Sequence, residues 1–138
     1  MGPRYLLDTN ICIYFQQKRS HELLERFRRL QPGDAGLSVI TYGELLYGAE
    51  KSQHRGGAIE TLTRTTSLLP VFPLPEDAAA IYGQIRATLE SCGETIGGND
   101  LWIAAHAKAA GLTLVTNNER EFRRVVGLRI ENWTMRSA

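Results

Sequence analysis

Three acidic side chains stand where a parallel α/β sheet would gather its chemically active groups. Asp8 ends a short apolar run, Glu44 follows a second such run, and Asp100 follows a pair of glycines. In open α/β sheets the ligand site lies just outside the carboxyl ends of the strands, where the following helices also begin. We therefore expect these three carboxylates to converge in one cleft.

Such a cluster of carboxylates has a specific chemistry. Three clustered carboxylates repel one another unless a cation joins them. Carboxylates and water are the ligands that Mg²⁺ prefers, and Mn²⁺ can take its place. A site of this kind can polarise a phosphodiester and deprotonate a water for in-line attack.

Each of the three acids also has a purely structural interpretation. Asp8 could cap the helix that follows it. Glu44 has capping-box spacing from Thr41, and Asp100 could complement a helix dipole. For Asp8 alone the functional interpretation is already favoured, because Thr9 and Asn10 follow it. Convergence of the three acids strengthens the functional interpretation over these alternatives.

The composition is that of an ordinary globular protein. The chain has 138 residues, of which 43% are hydrophobic and 22% are charged, with a net charge of +1. This length fits a single domain with a proper core. There is no apolar run of about 18 residues and no charged-then-apolar leader, so we expect no membrane span, no signal peptide and a cytoplasmic location.

The remaining reactive residue types give weaker indications. Cys12 and Cys92 lack the spacing of a zinc site and are expected to be buried free thiols. The three histidines stand singly, without a metal-binding pattern. Thirteen of the sixteen basic residues are arginines, which suit phosphate oxygens. On charge alone, however, solvated helix faces paired with glutamates are the favoured explanation.

Apolar periodicity and boundary residues predict strands that alternate with helices. The predicted strands are 4–8, 37–40, 69–72, 112–115 and 128–133. The first four predicted helices are 11–15 with Asn10 as cap, one that follows a cap at Ser20, one that opens at Thr41, and 57–67. The other three run from Pro75 to Gly93, from a cap at Asn99 to Ala110, and over a short stretch before Gly127. This alternation indicates βαβ crossovers and a parallel sheet, without a domain boundary or repeat in residues 1–138.

Four short motifs occur in order along nearly the whole chain. They are LLDTN at 6–10, ITYGELLYGA at 40–49, IGGNDLWIAAHA at 96–107, and LVTNN at 114–118 with Glu121-Phe122 after it. Together they resemble the PIN-domain ribonucleases, and more narrowly the VapC toxins of bacterial toxin–antitoxin pairs. The resemblance implies a three-layer α/β/α domain with a central parallel sheet in the strand order 3-2-1-4-5.

The resemblance also implies an activity and a ligand set. The activity is that of a Mg²⁺-dependent endoribonuclease. By motif match, Asp8 and Asp100 would be the principal metal ligands, and Glu44 would complete the acidic cluster directly or through water. Thr9 and Thr116 would be supporting hydroxyls.

One position departs from the family pattern. Many PIN domains carry a fourth acid just after the fourth strand, where this chain has Asn118. Glu121, one turn later, is the candidate replacement, and both residues are counted in the expected catalytic set. The departure leaves open a second possibility, a catalytically weak or inactive PIN module that binds RNA or a partner protein.

The family resemblance finally implies partners. VapC proteins are typically dimers, held inactive by a small cognate antitoxin of the VapB type whose C-terminal segment lies in the active-site groove. The subgroup most similar to this chain is associated with the anticodon loop of initiator tRNA, whose cleavage would inhibit translation and growth. Arg120 and Arg123 are candidate phosphate contacts at the rim of the site, and no membrane association is expected.

Overall fold

A parallel sheet forms the centre of the protein, whose computed structural model describes residues 2–135. Within that range the strands are β1 Tyr5–Leu7, β2 Ala35–Ser38, β3 Val71–Phe72, β4 Thr113–Val115 and β5 Ile130–Glu131. All neighbouring pairs are parallel, and the order is β3-β2-β1-β4-β5. The fold class and strand order expected from the family resemblance are therefore confirmed.

Helices cover both faces of this sheet. Within residues 2–135 they are α1 Thr9–Gln17, α2 His21–Arg28, α3 Val39–Glu50, α4 Arg55–Leu68, α5 Ala78–Ser91, α6 Gly98–Ala110 and α7 Glu119–Phe122. Adjacent residues of a strand point to opposite faces. Accordingly, Leu6 belongs to a core that includes α5 and α6, whereas Leu7 belongs to one that includes α1 and α2. The result is the expected three-layer sandwich.

The junction between β2 and α3 differs from the prediction. The strand was expected to continue to Ile40, but Val39 and Ile40 already form the first turn of α3. The Oγ of Ser38 accepts a hydrogen bond from the backbone N–H of Ile40 at 3.2 Å, and this cap ends the strand. Thr41 therefore lies inside the helix and does not open it.

Two other predicted caps are also wrong. Helix α1 is capped by Asp8, so Asn10 lies within its first turn. Helix α6 begins at Gly98 with Gly97 at the cap position, which places Asn99 inside the helix. In contrast, Ser20 caps α2 as predicted, since its Oγ accepts a hydrogen bond from the N–H of Leu23 at 3.2 Å.

The two cysteines differ in burial. Cys12 is fully buried on α1, as expected, and burial raises the pKa of its thiol. Cys92 is exposed, because it follows the last residue of α5, at the end where that helix leaves the core. The expectation of a buried thiol is therefore wrong for Cys92.

No helix among residues 2–135 is both long enough and apolar enough to cross a membrane.

Candidate active site

The predicted acids gather at the carboxyl edge of the sheet. Asp8 follows β1 directly, and Thr116 follows the neighbouring strand β4. Glu44 lies on the helix that leaves β2, the other neighbour of β1. The charges of Asp100 and Glu44 both act on Asp8, and the charges of Glu121 and Glu44 both act on Asp100. The four acids therefore form one negatively charged site.

Asp8 is the most deeply buried member of this site, with 4% of its surface exposed. One carboxylate oxygen accepts a hydrogen bond from the N–H of Ile11 at 2.9 Å, and the other accepts one from the hydroxyl of Thr116. Burial nevertheless raises the pKa of Asp8 to about 6, and the nearby charges of Asp100 and Glu44 add to the shift. Asp8 thus caps α1, as in its structural interpretation, but its surroundings disfavour the charged form of the carboxyl group.

Glu44 does not belong to a capping box. Because α3 begins at Val39 under the cap of Ser38, Glu44 lies in the second helical turn, beyond reach of a free N-terminal N–H. Its Oε1 accepts a hydrogen bond from the hydroxyl of Thr9 at 2.5 Å. The hydroxyl of Thr9 also lies 3.2 Å from that of Thr41. The contact with Thr9 turns Glu44 toward the strand end that carries Asp8.

Asp100 lies in the first turn of α6 and is half-buried. A carboxylate near a helix N-terminus is normally favoured by the helix dipole. Burial nevertheless raises the pKa of Asp100 to about 6, with further contributions from the charges of Glu121 and Glu44. The dipole interpretation is therefore insufficient, since the surroundings of Asp100 disfavour its charged form.

Asn118 and Glu121 flank the start of α7. Asn118 holds the cap position of that helix, and its backbone N–H donates to the hydroxyl oxygen of Thr116 at 2.9 Å. Thr116 consequently links Asn118 to Asp8. Glu121, in the first turn of α7, is the acid that contributes most of the like-charge effect on Asp100. The structure thus brings both residues to the site, on the side of Asp100 and Thr116.

The donor atoms and the charge of the four acids determine which metal ion they could hold. Within residues 2–135, no three acidic, histidine or cysteine side chains are already arranged to hold one. None of the four acids forms an ion pair with a basic side chain in that part of the chain. The donors are all oxygens and carry excess negative charge, which is the chemistry that a hard divalent cation selects. The donor set therefore fits such a cation, although the side chains do not form a finished cage.

A groove extends from one side of the acids. It has a volume of about 540 Å³, begins at Thr9 and Glu44, and continues between α1, α3 and α4 past Gly48. A second cavity of about 520 Å³ shares Gln16 and Thr61 with it. A segment of an extended chain could therefore lie along this surface and reach the acids.

Sequence reasoning missed one buried contact near the site. The Nδ1 atom of His106 on α6 lies 2.8 Å from the Oγ of Ser38, and both side chains are fully buried. The two residues are 68 positions apart in the chain, so no local pattern pairs them. The contact joins the helix that carries Asp100 to the start of the helix that carries Glu44.

Comparisons with known proteins agree with this geometry. The PIN domain family matches residues 5–128. Ribonuclease VapC2 of Haemophilus influenzae is 46% identical over 130 residues, which cover 94% of this chain and 98% of that protein. The tRNA(fMet)-specific endonuclease VapC of Shigella flexneri is 43% identical over 131 residues, covering 95% and 98% of the two chains. The structure of VapBC-1 from nontypeable Haemophilus influenzae has a TM-score of 0.89 at 39% identity and covers 95% of this chain and 98% of that one. This chain therefore belongs to the PIN-domain family and, within it, to the VapC ribonucleases.

Proposed function

We propose that this protein is the toxin of a toxin–antitoxin pair, and that it cleaves RNA phosphodiester bonds at the cluster of Asp8, Glu44 and Asp100. The observation that carries this proposal is the state of Asp8. Its carboxylate is fixed by Thr116 and by the N–H of Ile11, yet its pKa is raised to about 6. A fixed carboxylate among like charges is the arrangement that a bound cation would stabilise.

The cation we propose is Mg²⁺, with Mn²⁺ able to replace it. PIN-domain ribonucleases generally depend on a divalent metal. Asp8 and Asp100 would hold the ion, with Glu44 as a direct or water-mediated third ligand. When bound, the ion would polarise the scissile phosphodiester and lower the pKa of an attacking water.

The protein groups around the acids have positioning roles in this proposal. Thr116 donates to Asp8, and Thr9 lies 2.5 Å from the Oε1 of Glu44, so both carboxylates are oriented by hydroxyl groups. Asn118 occupies the place of the family's fourth acid and is tied to Thr116 through its backbone. Glu121 adds negative charge beside Asp100 and is the candidate for a second, weaker metal contact.

The substrate we propose is a single-stranded loop of tRNA. Loops present unstacked bases and an accessible backbone, which suits sequence-specific cleavage. The Shigella flexneri relative is named for tRNA(fMet), which supports initiator tRNA as the target of this chain. Cleavage of that tRNA would inhibit translation and arrest growth.

The partner we propose is a VapB-like antitoxin, with the toxin itself a homodimer and residues 1–138 a single PIN domain. Similarity to the VapBC-1 structure supports a VapB-like partner. The groove beside Glu44 gives an antitoxin segment a route to the acids, because its wall includes Thr9 and Glu44. A segment bound there would exclude RNA from the site.

The test is cleavage of a total tRNA pool by the purified, antitoxin-free protein with Mg²⁺, with Mn²⁺ and with chelator. Asp8→Asn is the informative variant, because an amide oxygen can still accept from Ile11 and preserve the cap. Asp34→Asn is the matched control, since Asp34 also accepts a backbone hydrogen bond, from Gln31 at 2.9 Å, but precedes β2 at the opposite edge of the sheet. We expect a discrete fragment that requires metal and Asp8 and persists in Asp34→Asn.

A non-catalytic binding module is the second candidate, and Asn118 in place of the fourth acid favours it. This alternative predicts that RNA binds with similar affinity to the wild-type protein and to Asp8→Asn, without cleavage even in Mn²⁺. Intact tRNA under every condition, from a folded protein, would replace the nuclease proposal with this one.

A further inference from the structure

His106 and Ser38 form a buried polar pair between α6 and the start of α3. His106 is 1% exposed on α6, where its neighbours Ala105 and Ala107 are also buried. Its only hydrogen-bond partner within residues 2–135 is the Oγ of Ser38, at 2.8 Å. Burying an imidazole removes its hydrogen bonds to water, a cost that an apolar side chain would not carry. Filling this space therefore does not by itself require a histidine.

The pair joins the two helices that carry acids of the site. Ser38 caps α3 and lies six residues before Glu44, and His106 lies six residues after Asp100 on α6. The chain is helical between Ser38 and Glu44 and between Asp100 and His106, which is about two turns in each case. Each helix therefore holds its acid at a fixed distance from its member of the polar pair. A constraint between Ser38 and His106 therefore also constrains the separation of Glu44 and Asp100.

Ser38 can serve both helices at once. Its oxygen accepts from the N–H of Ile40 at 3.2 Å, which leaves its hydroxyl proton available for Nδ1 of His106. This arrangement requires a neutral imidazole with Nδ1 as the acceptor. Burial lowers the pKa of His106, which keeps the ring neutral at pH 7.

We propose that His106 is a positioning residue, and that its hydrogen bond to Ser38 fixes α3 against α6 so that Glu44 and Asp100 stay at the spacing needed to bind a divalent cation. This inference rests on the proposed function. Groups that orient metal ligands from behind typically change metal affinity or activity by about 10–100-fold when they are removed.

The experiment compares three substitutions and one control substitution with the wild-type protein. His106→Leu removes the hydrogen bond and keeps a side chain of similar bulk. His106→Asn places an amide atom near the position of Nδ1 and should retain the bond. Ser38→Ala removes the bond together with the α3 cap. Its matched control is Ser20→Ala, which removes an equivalent buried cap from α2 without touching a histidine.

Four quantities are measured for each protein: kcat and KM for tRNA cleavage, the Kd for Mn²⁺ in the absence of RNA, and Tm. We expect His106→Leu and Ser38→Ala to weaken Mn²⁺ binding and lower kcat by about 10-fold or more while KM for RNA stays near the wild-type value. His106→Asn should restore both quantities. Ser20→Ala should lower Tm alone.

Two results would overturn the proposal. One is wild-type Mn²⁺ affinity and kcat in a folded His106→Leu or Ser38→Ala. The other is an equal loss in His106→Asn and His106→Leu, which would assign the effect to packing. If His106→Leu does not fold, Ser38→Ala against Ser20→Ala decides the question. Failure of the wild-type protein to cleave RNA would overturn the proposed function, whereas the Mn²⁺ titrations would still decide the positioning role.

Discussion

At the scale of the residue, Asp8 combines a structural role and a place in the acid cluster. It caps α1 through Ile11, and it is the buried acid on which the charges of Asp100 and Glu44 act. A cap normally stabilises a helix by about 1 kcal/mol. Here that gain is opposed by burial and by like charges, because the pKa of Asp8 is raised rather than lowered. The folded protein therefore holds Asp8 in a state that costs stability when no cation is bound.

This cost predicts an unusual pH dependence of stability. A carboxyl whose pKa rises from 3.8 to about 6 on folding stabilises the fold below pH 4, and loses that contribution as the pH rises through 6. The loss for Asp8 is at most about 3 kcal/mol. Asp8→Asn has no such charge, so its free energy of unfolding in chelator should fall less than that of the wild type between pH 4.5 and 7.5. Urea unfolding at the two pH values measures the free energy of unfolding of both proteins.

Added metal should reverse the effect. At pH 7.5, Mn²⁺ should raise the free energy of unfolding of the wild type, because a ligand that binds only the folded state stabilises it. It should do so much less for Asp8→Asn. Parallel pH profiles for the two proteins, or equal stabilisation by Mn²⁺, would refute the prediction.

Among the arginines in and directly after α7, Arg120 is the one that we expect to contact RNA. Arg123 pairs with Glu119 at 2.9 Å, and Arg124 binds the carbonyl of Thr95 at 2.9 Å. Arg120 is exposed, lies beside Glu121, and forms no ion pair within residues 2–135. A phosphate contact would therefore not compete with an existing ion pair.

Arg120→Gln should therefore weaken RNA binding and reduce the slope of log Kd against log salt by about 0.7 to 1, the value for one lost phosphate contact. Arg29→Gln is the control. Arg29 is also exposed, but it lies at the C-terminal end of α2, which leads into the amino edge of β2. Fluorescence anisotropy with a labelled tRNA loop, in chelator, measures both variants. Equal slopes for Arg120→Gln and the wild type would exclude the contact.

At the scale of the element, the strands and helices could be predicted in kind but less well in their limits. Four of the five predicted strands include the observed ones, because buried parallel strands are short apolar runs. The exception is β2, where Val39 and Ile40 extend the apolar run although Ser38 has already capped α3. That choice depends on one side-chain hydrogen bond. Hydropathy alone cannot distinguish a buried strand from a buried helix start.

The same limit applies to the candidate site. Asp8, Glu44 and Asp100 could be named because each follows a recognisable element boundary. The bond between Thr9 and Glu44 spans 35 positions and that between Ser38 and His106 spans 68, so both depend on how the elements pack. Glu44 illustrates the consequence, because a capping box with Glu44 requires the helix cap at Thr41, whereas the cap of α3 is Ser38, three residues earlier.

Two glycines of the β2–α3 unit provide an element-scale prediction. A Cβ at Gly36 in β2 would lie 2.5 Å from both the Phe72 ring and the carbonyl oxygen of Pro70, so the β2–β3 pairing would have to shift. At Gly43 in α3, nothing lies within 4 Å of such an atom. Gly36→Ala should therefore destabilise the protein by about 1–3 kcal/mol. Gly43→Ala should stabilise it by about 0.5–1 kcal/mol, because glycine costs backbone entropy in a helix.

Urea unfolding of both variants and the wild type checks the pair. The two substitutions add the same methyl group, so their opposite signs isolate the local surroundings. Stabilisation by Gly36→Ala, or destabilisation by Gly43→Ala, would contradict the close packing at Gly36 or the open surroundings of Gly43.

At the scale of the whole molecule, the acids and the groove occupy neighbouring parts of one surface. Glu44 belongs to both, since it is one of the four acids and also lines the cavity of about 540 Å³. RNA and an antitoxin segment would therefore compete for the same approach.

Expression of the chain alone should arrest growth of a bacterial host, and co-expression of its cognate VapB-like antitoxin should relieve the arrest. Asp8→Asn should be harmless in either case, and harmless expression of the folded wild type would contradict the toxin proposal.

The groove itself can be tested through Gly48. This exposed glycine of α3 lines the groove, and nothing lies within 4 Å of a Cβ at its position, so a larger side chain enters open space without disturbing the core. Gly48→Leu should therefore reduce antitoxin affinity by obstructing the groove. Gly56→Leu adds the same side chain to an exposed position of α4 outside the groove and should bind normally. Calorimetric titration with the antitoxin, in an Asp8→Asn background that permits expression, compares the two. Equal affinities would place the antitoxin elsewhere on the surface.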